Sequence, residues 1–535
     1  MYYLKEHPDR SFVNKLYDGM VNGFDLGIDS PPTSSLMCRN LKSATDNSQF
    51  VSEAIKKEVD KGFVSGPFDT PPFDVFRASP IGVAVSKYSK KKRLILDLSS
   101  PHDDGENASI NSLIDKDSFR LKYTTVDDAI TIIKRLGIGA QLCKVDVESA
   151  FKILPIIKSQ WPYVGFRWQH KFYFFKRLCF GCRSSPYTFN MLSEAIAWIA
   201  ANCFQIENIL YLLDDFLTID NPSTDASITM GKLLYLFKSL NIPLSLGKCE
   251  GPSDRLIYLG VELCSTTMCV YLPNDKKTRI RELLVSFHKR RRCTKHELLQ
   301  LIGHLSFAAR CIAPCRAFMN KLIAAAYSVK QLRHHVRLSQ ETRSDINMWL
   351  AVMEDFNGCS MFLHDDLISN EDLEIYTDSS SSFGCGGYNL QSREYFSVSW
   401  EDLGTDFYGS KQMSLLELVP IVIAACLWSH NWRRKRVLWH CDNEGLCYIL
   451  NKSRAKDKSI MLLLQKAVYL SVQNNFTFHA RWLSTTKNRL ADLLSRNDIN
   501  SFQESAAGLW IQRKPPQWNQ LTDLTMPLLD CVQQH

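Results

Sequence analysis

The chain has 535 residues, of which 45% are hydrophobic, 22% charged and 11% aromatic, and its formal net charge is +8. That length exceeds what one hydrophobic core serves, and that composition excludes a largely disordered or collagen-like chain. The 17 cysteines, an odd number scattered through apolar segments, argue for reduced thiols in an intracellular protein rather than a disulfide framework. CFGC (179–182) has the spacing of zinc ligands but no convincing second pair. The opening MYYLKEHPDRSF lacks the apolar stretch of a signal peptide. LVPIVIAACLW (418–428) falls short of the roughly 20 residues that cross a bilayer, so no membrane partner is expected.

In chain order, residues 1–75 follow no single pattern and end in the turn-rich GPFDTPPFD (66–74), which reads as a lead-in. SPIGVAVSKYSKKKRLILDLS (79–99) sets two β-branched runs around a lysine-rich turn, which predicts a hairpin. AQLCKVDVESAF (140–151) predicts a strand running into a turn or helix. KFYFFKRLCFGCRSSPYTFNMLSEAIAWIAA (171–201) predicts a strand, a Gly/Ser/Pro turn and a long helix. ILYLLDDFLTID (209–220) has the pattern of a hairpin, interrupted by Asp214 and Asp215. A helix over 226–240, the segment IPLSLGKCE and a strand pair RLIYLGVELC/CVYLP (255–273) follow.

Between Lys276 and Arg343 the chain carries 16 Lys and Arg against 3 acids, a balance of +13 that leaves the remainder at −5. The apolar residues of this stretch recur with helical periodicity, so a folded basic module suited to a phosphate backbone is expected. The plainer alternative is a solvated charged face. Beyond 371 the order is three strands, a helix, a strand, helices, a strand and a short helix, a compact α/β arrangement. Composition shifts place domains at 1–75, 76–270, 271–366, 367–500 and 501–535.

Two groups of acids carry chemistry. Adjacent carboxylates at a hairpin tip repel, and divalent metal removes the conflict. Two-metal phosphoryl transfer uses such a site, with a further carboxylate from another strand; Asp146 in KVDVESAF is placed to supply it. The plainer reading of Asp214–Asp215 alone is a polar turn. In the last 170 residues, Asp378 lies in YTDSS, Glu417 in a helix, Asp442 in WHCDNEG and Asp492 in NRLADLLSR. Singly, Glu417 could close a capping box with Ser414, Asp442 could cap the following helix, and Asp378 could sit in a turn.

Taken together these motifs resemble retroelement reverse transcriptases with a ribonuclease H domain, most closely those of DIRS-like retrotransposons, over about residues 55–500. The resemblance implies a right-hand polymerase of α+β type (fingers, palm, thumb and connection) followed by a ribonuclease H-like α/β domain. It makes Asp146, Asp214 and Asp215 metal ligands with the Val147 carbonyl, and Phe151 the steric gate against ribonucleotides. Phe180 and Gly181 line the template and incoming nucleotide. Lys248 faces the leaving pyrophosphate, and Arg93 and Lys87 contact the triphosphate. YLGVELC (258–264) resembles the primer grip. The usual tyrosine of the metal-binding hairpin is Leu212 here. Asp378, Glu417, Asp442 and Asp492 form the ribonuclease H set; the family's histidine before the last acid is absent from the short STTKN loop, the nearest being His479.

The implied activity is RNA-directed DNA synthesis with cleavage of the RNA strand of hybrids. Its implied cofactor is Mg²⁺, two ions per site, with Mn²⁺ as a substitute. Its partners would be an RNA template, a DNA primer, RNA–DNA hybrid and dNTPs. Two rival readings are a decayed or domesticated nucleic-acid-binding protein and a nuclease on a polymerase-like scaffold.

Overall fold

A computed structural model describes residues 2–85, 92–102, 108–121, 123–355, 359–361, 373–403, 412–433, 435–506 and 512–513. The chain is a mixed α/β protein of two compact units. One comprises Met1–Leu259 with Ser265–Thr267, the other Gly260–Cys264 with Met268–His535.

In the first unit, the β-branched runs around the lysine-rich turn pair as strands β1 (Ile81–Val85) and β2 (Lys92–Leu96), antiparallel from Ile81↔Leu96 to Val85↔Lys92. Lys87 lies in the connecting turn, outside the described residues. Strand β3 (Gln141–Asp146) is central in an antiparallel sheet with β4 (Ile209–Leu212), β5 (Asp215–Asp220) and β6 (Glu250–Ser253), in the order β6-β3-β5-β4. Leu142, Cys143 and Val145 are buried, on both faces of the strand, so its register is fixed by the core. The long helix α1 (Ser185–Phe204) and α2 (Ala226–Ser239) pack with this sheet. Residues 1–75 enter the same core: Leu4, Val13, Leu16, Leu26, Val51 and Ile55 are buried with α1 and β3 side chains.

Two backbone devices position the parts. Leu212 and Asp215 are paired, so Leu213–Asp214 is a two-residue turn, and Leu213 takes φ +54°. A leucine there is unfavourable, and the hydroxyl of Ser193 on α1 donates to the Leu213 carbonyl at 2.8 Å. Gly181 has φ +104°, and a Cβ on it would stand 2.1 Å from the Leu96 carbonyl oxygen. Asn111 locks this turn: its amide donates to the Gly181 carbonyl and the Ser99 hydroxyl, and its oxygen accepts from the Arg183 N–H.

The second unit begins with a short sheet of Val261–Cys264, Cys269–Tyr271 and Cys359–Met361. Helices α3 (Asn274–His288) and α4 (Lys295–Ala308) carry much of the basic stretch and α5 (Gln340–Asp355) starts at its end, with a two-stranded ribbon of Arg292–Thr294 and His335–Arg337 between. Thr294 and Glu297 form a capping box on α4. Two cations of this stretch serve the fold. Lys295 is buried and donates to the carbonyls of Val329 and Lys330, and Lys276 donates to Gly260 while lying over the Phe307 ring.

After residue 372 come β7 (Leu373–Ser379), β8 (Gly384–Asn389), β9 (Glu394–Ser399), α6 (Met413–Trp428), β10 (Arg436–Cys441), α7 (Glu444–Lys452), α8 (Lys458–Gln473), β11 (Thr477–Trp482) and α9 (Arg489–Ser495). The sheet runs β11-β10-β7-β8-β9, with Gln512–Arg513 beside β9. β7, β10 and β11 are parallel, while β7, β8 and β9 are antiparallel. Strand alternation sends Ile375, Phe396 and Trp439 to a core with α6 and α8, and Tyr376, Tyr388 and Tyr395 to a smaller one with α9. Gly386 is what allows α9 its close approach, since a Cβ there would meet Leu494 Cβ at 2.5 Å. By length and composition the segment Met413–Asn431 could cross a membrane, longer than the sequence run suggested, but it is a mostly buried core helix.

Because Gly181 combines a positive φ with backbone contact, Gly181→Ala should destabilise the first unit by on the order of 2 kcal/mol or more, read by urea unfolding. An unchanged midpoint would mean that the turn relaxes freely.

Candidate functional site

Asp146 closes β3, and its Cα partner across the strand pair is Asp215, the first residue of β5. The next residue, Val147, donates its N–H to the Asp214 carbonyl at 3.0 Å. Three acids, one from residue 146 and two from a hairpin some 70 residues on, thus share one end of the sheet. Asp146 is only 5% exposed, and Lys248 Nζ donates to its two oxygens at 2.7 and 2.9 Å. The Ser245 N–H to the Asp146 carbonyl, at 2.8 Å, docks the short turn that carries Lys248. Burial first, then the charges of Asp214 and Asp146, push the Asp215 carboxyl up to about 6. Burial likewise raises Asp214, opposed by its neighbours Lys248 and Arg93. The Lys248 ammonium is raised chiefly by its hydrogen bond to Asp146.

Around these acids, Phe151 stands edge-on to Phe180 with centroids 4.9 Å apart, and to Phe189 at 5.8 Å. Phe180 is 52% exposed and Val147 is buried. Arg93 lies in β2, near enough to Asp214 to act on its titration. Four residues that the motifs did not single out hold the arrangement. Ser193 and Asn111 are described above; Thr124 donates to the Tyr211 carbonyl at 2.7 Å; Lys144 bridges Glu250 and the Ile257 carbonyl at 3.0 Å each.

The second group is tighter. Asp378, Glu417 and Asp442 each offer an oxygen within 4.8 Å of the others, and they are the one such trio of acids, His or Cys among the described residues. Asp146, Asp214 and Asp215 do not form one, and both oxygens of Asp146 accept from Lys248. Each simpler reading of the trio fails on local geometry. Helix α6 is preceded by Gln412 as its N-cap, whose side chain makes no capping hydrogen bond, and Glu417 lies inside the helix and caps nothing. Asn443, not Asp442, caps α7 by accepting from the Leu446 N–H. Asp378 is a strand residue opposite Gly386.

Glu417 is 2% exposed and its Oε2 has no hydrogen-bond partner. Burial, then Asp378 and Asp442, push its carboxyl up to about 9. Burial is also the main cause that takes Asp378 to about 7, against a 2.7 Å hydrogen bond from the Ser495 hydroxyl. Asp492, one turn before Ser495, is near enough to raise Asp378 but lies outside the trio and accepts from Arg496 Nε at 2.8 Å. Asp442 accepts from the Thr485 hydroxyl at 2.9 Å, and its carbonyl accepts from the Trp482 indole N–H at 3.0 Å. Three hard oxygen donors, mutually repelling and one of them orphaned, fit Mg²⁺ or Mn²⁺. Among the described residues no group of this kind includes Cys179 and Cys182, and neither of them is in a disulfide.

No protein-family model and no curated protein matches the chain. Among solved structures it is similar to the foamy viral protease-reverse transcriptase in complex with double-stranded DNA. In one such structure the identity is 16%, with 85% of this chain and 73% of the other covered at a TM-score of 0.48. In another it is 15%, with 90% and 95% covered at 0.46. The same viral protein in complex with RNA/DNA hybrid aligns at 14% identity and a TM-score of 0.47, over 90% of this chain and 62% of that one.

Glu417 has a folded pKa raised from 4.5 to about 9, so the metal-free fold retains a proton that the unfolded chain gives up. Between those values stability is lost as pH rises, at up to about 1.4 kcal/mol per pH unit. Glu417→Gln should therefore gain on the wild type as pH rises from 5 to 9 in chelator, and millimolar Mg²⁺ should reverse the gap. A pH-independent gap in thermal unfolding would show a charged, paired Glu417.

Proposed function

We propose that this chain is an RNA-directed DNA polymerase joined to a ribonuclease H, of the kind carried by DIRS-like retrotransposons and working inside the cell. The observation that carries the reading is the meeting of acids remote in sequence: Asp146 opposite Asp215, and Asp378 with Glu417 and Asp442. The domains follow the sequence boundaries, with fingers and palm at 76–270, a basic thumb and connection at 271–366, the nuclease at 367–500, a lead-in at 1–75 and a tail at 501–535.

Two divalent ions per site would supply charge neutralisation and activation of the attacking oxygen. Asp146, Asp214, Asp215 and the Val147 carbonyl would hold them in one site, and Asp378, Glu417, Asp442 and Asp492 in the other. In the first site, the ammonium of Lys248 neutralises Asp146 while no ion is held; its side chain is 61% exposed and free to swing. With Asp146 in its ligand role, Lys248 would face the departing pyrophosphate. A lysine ammonium holds its proton at neutral pH without that partner, so Nζ would have one to transfer. Arg93, with Lys87, receives the triphosphate. Phe151, wedged between Phe180 and Phe189, is a fixed wall at which a ribose 2′-hydroxyl would collide. Phe180 and Gly181 face template and nucleotide, and the basic α3–α5 stretch grips the duplex backbone. In the second site, Glu417 and Asp378 would hold the ions as carboxylates, having given up their protons, and Asp492 would complete the set by leaving Arg496.

The purified chain should extend a DNA primer on an RNA template only with divalent metal, and cut the RNA of a hybrid. Asp215→Asn should abolish extension and spare cleavage, and Asp442→Asn the reverse. Hybrid binding without extension would support a decayed binder, and cleavage with extension untouched by Asp215→Asn would support the nuclease reading. Phe151→Val should raise ribonucleotide incorporation at least about 10-fold relative to dNTP, the discrimination of one steric contact; an unchanged ratio removes Phe151 from the gate.

A further inference from the structure

β10 and β11 end together at the pair Cys441↔Trp482. The ladder continues one bond further, from the Leu483 N–H to the Cys441 carbonyl at 3.0 Å. Asp442 is the one member of the acidic trio that belongs to neither strand nor helix. Its backbone is held by the Trp482 indole N–H at 3.0 Å and its carboxylate by Thr485 at 2.9 Å. The end of β11 and the loop after it therefore fix Asp442 from two sides.

The same indole is 53% exposed. Trp349, Trp400, Trp428, Trp432 and Trp439 are fully buried, and Trp482 is the sole exposed tryptophan among the described residues. An indole kept at the surface presents a broad apolar face to water, which is unfavourable unless something covers it. From Arg481 to Ala491 the chain has three cations, Arg481, Lys487 and Arg489, all exposed, and no acid. An exposed aromatic face among cations beside a metal-binding trio has the composition of a surface for a polyanion with flat bases.

We propose that Trp482 is a substrate-positioning residue of the second site, which anchors Asp442 through its N–H and stacks its face on the nucleic acid to be cut. The inference rests on the ribonuclease reading above. Two variants separate the roles: Trp482→Phe keeps an aromatic face and loses the donor, while Trp482→Ala loses both. With full-length chain and an RNA–DNA hybrid, Trp482→Phe should lower kcat and raise the Mg²⁺ needed for half-maximal cleavage, leaving KM unchanged. Trp482→Ala should add a rise in KM of about 5- to 100-fold. Equal KM values for the two variants would overturn the stacking role, and an unshifted Mg²⁺ requirement in Trp482→Phe the anchoring role. A readout independent of cleavage is the emission lost on Trp482→Phe, measured in Ca²⁺. Hybrid should quench that component, and its indifference to saturating hybrid would refute the contact. Quenching in a wild-type chain that cuts no RNA would instead retire the ribonuclease reading and leave a nucleic-acid contact at Trp482.

Discussion

Repulsion between carboxylates that the fold refuses to separate is the constraint on which the rest of this structure depends. Asp146 and Asp215 face each other because β3 and β5 are in one register, and that register is set by residues buried on both faces of the pair. Slipping the strands by one residue would part the acids only by repacking that core. Glu417 is under the same compulsion. It stands in a helix whose other residues are almost all in the core, so its carboxylate cannot leave without taking α6 with it. In both sites hydrophobic burial elsewhere brings acids together, and their mutual repulsion has to be offset locally.

The two sites relieve the strain differently while no ion is present. The first uses a counter-charge, because Lys248 sits on a short turn docked by Ser245 and can reach both oxygens of Asp146. The second has no lysine or arginine within the trio and instead raises proton affinity, most of all at Glu417.

Small residues set the precision of both. Gly181 brings its turn against the Leu96 carbonyl, and Gly386 brings α9, with Ser495 and Asp492, against the strand that carries Asp378. Ser193 steadies a leucine in a left-handed turn. These contacts do no chemistry, yet each fixes a distance on which the acids depend.

Much of this was legible in the sequence, because alternation and helical periodicity are local. The hairpin at 79–99, the strand ending in Asp146, the Asp214–Asp215 hairpin and the strand order after 371 all follow from side-chain patterning that the core enforces. The run RLIYLGVELC was less transparent, as positive φ angles at Leu259 and Gly260 divide it into two strands. The chain's own pattern also marked which acids interrupt apolar runs. Which of them meet was decided only by tertiary packing, since that depends on contacts between segments tens of residues apart. So did the pairing of Asp146 with Lys248, the engagement of Asp492 by Arg496, and the placing of Trp482 against the Asp442 backbone. Periodicity determines which face a residue takes, whereas a partner's identity needs three-dimensional proximity that no local pattern encodes.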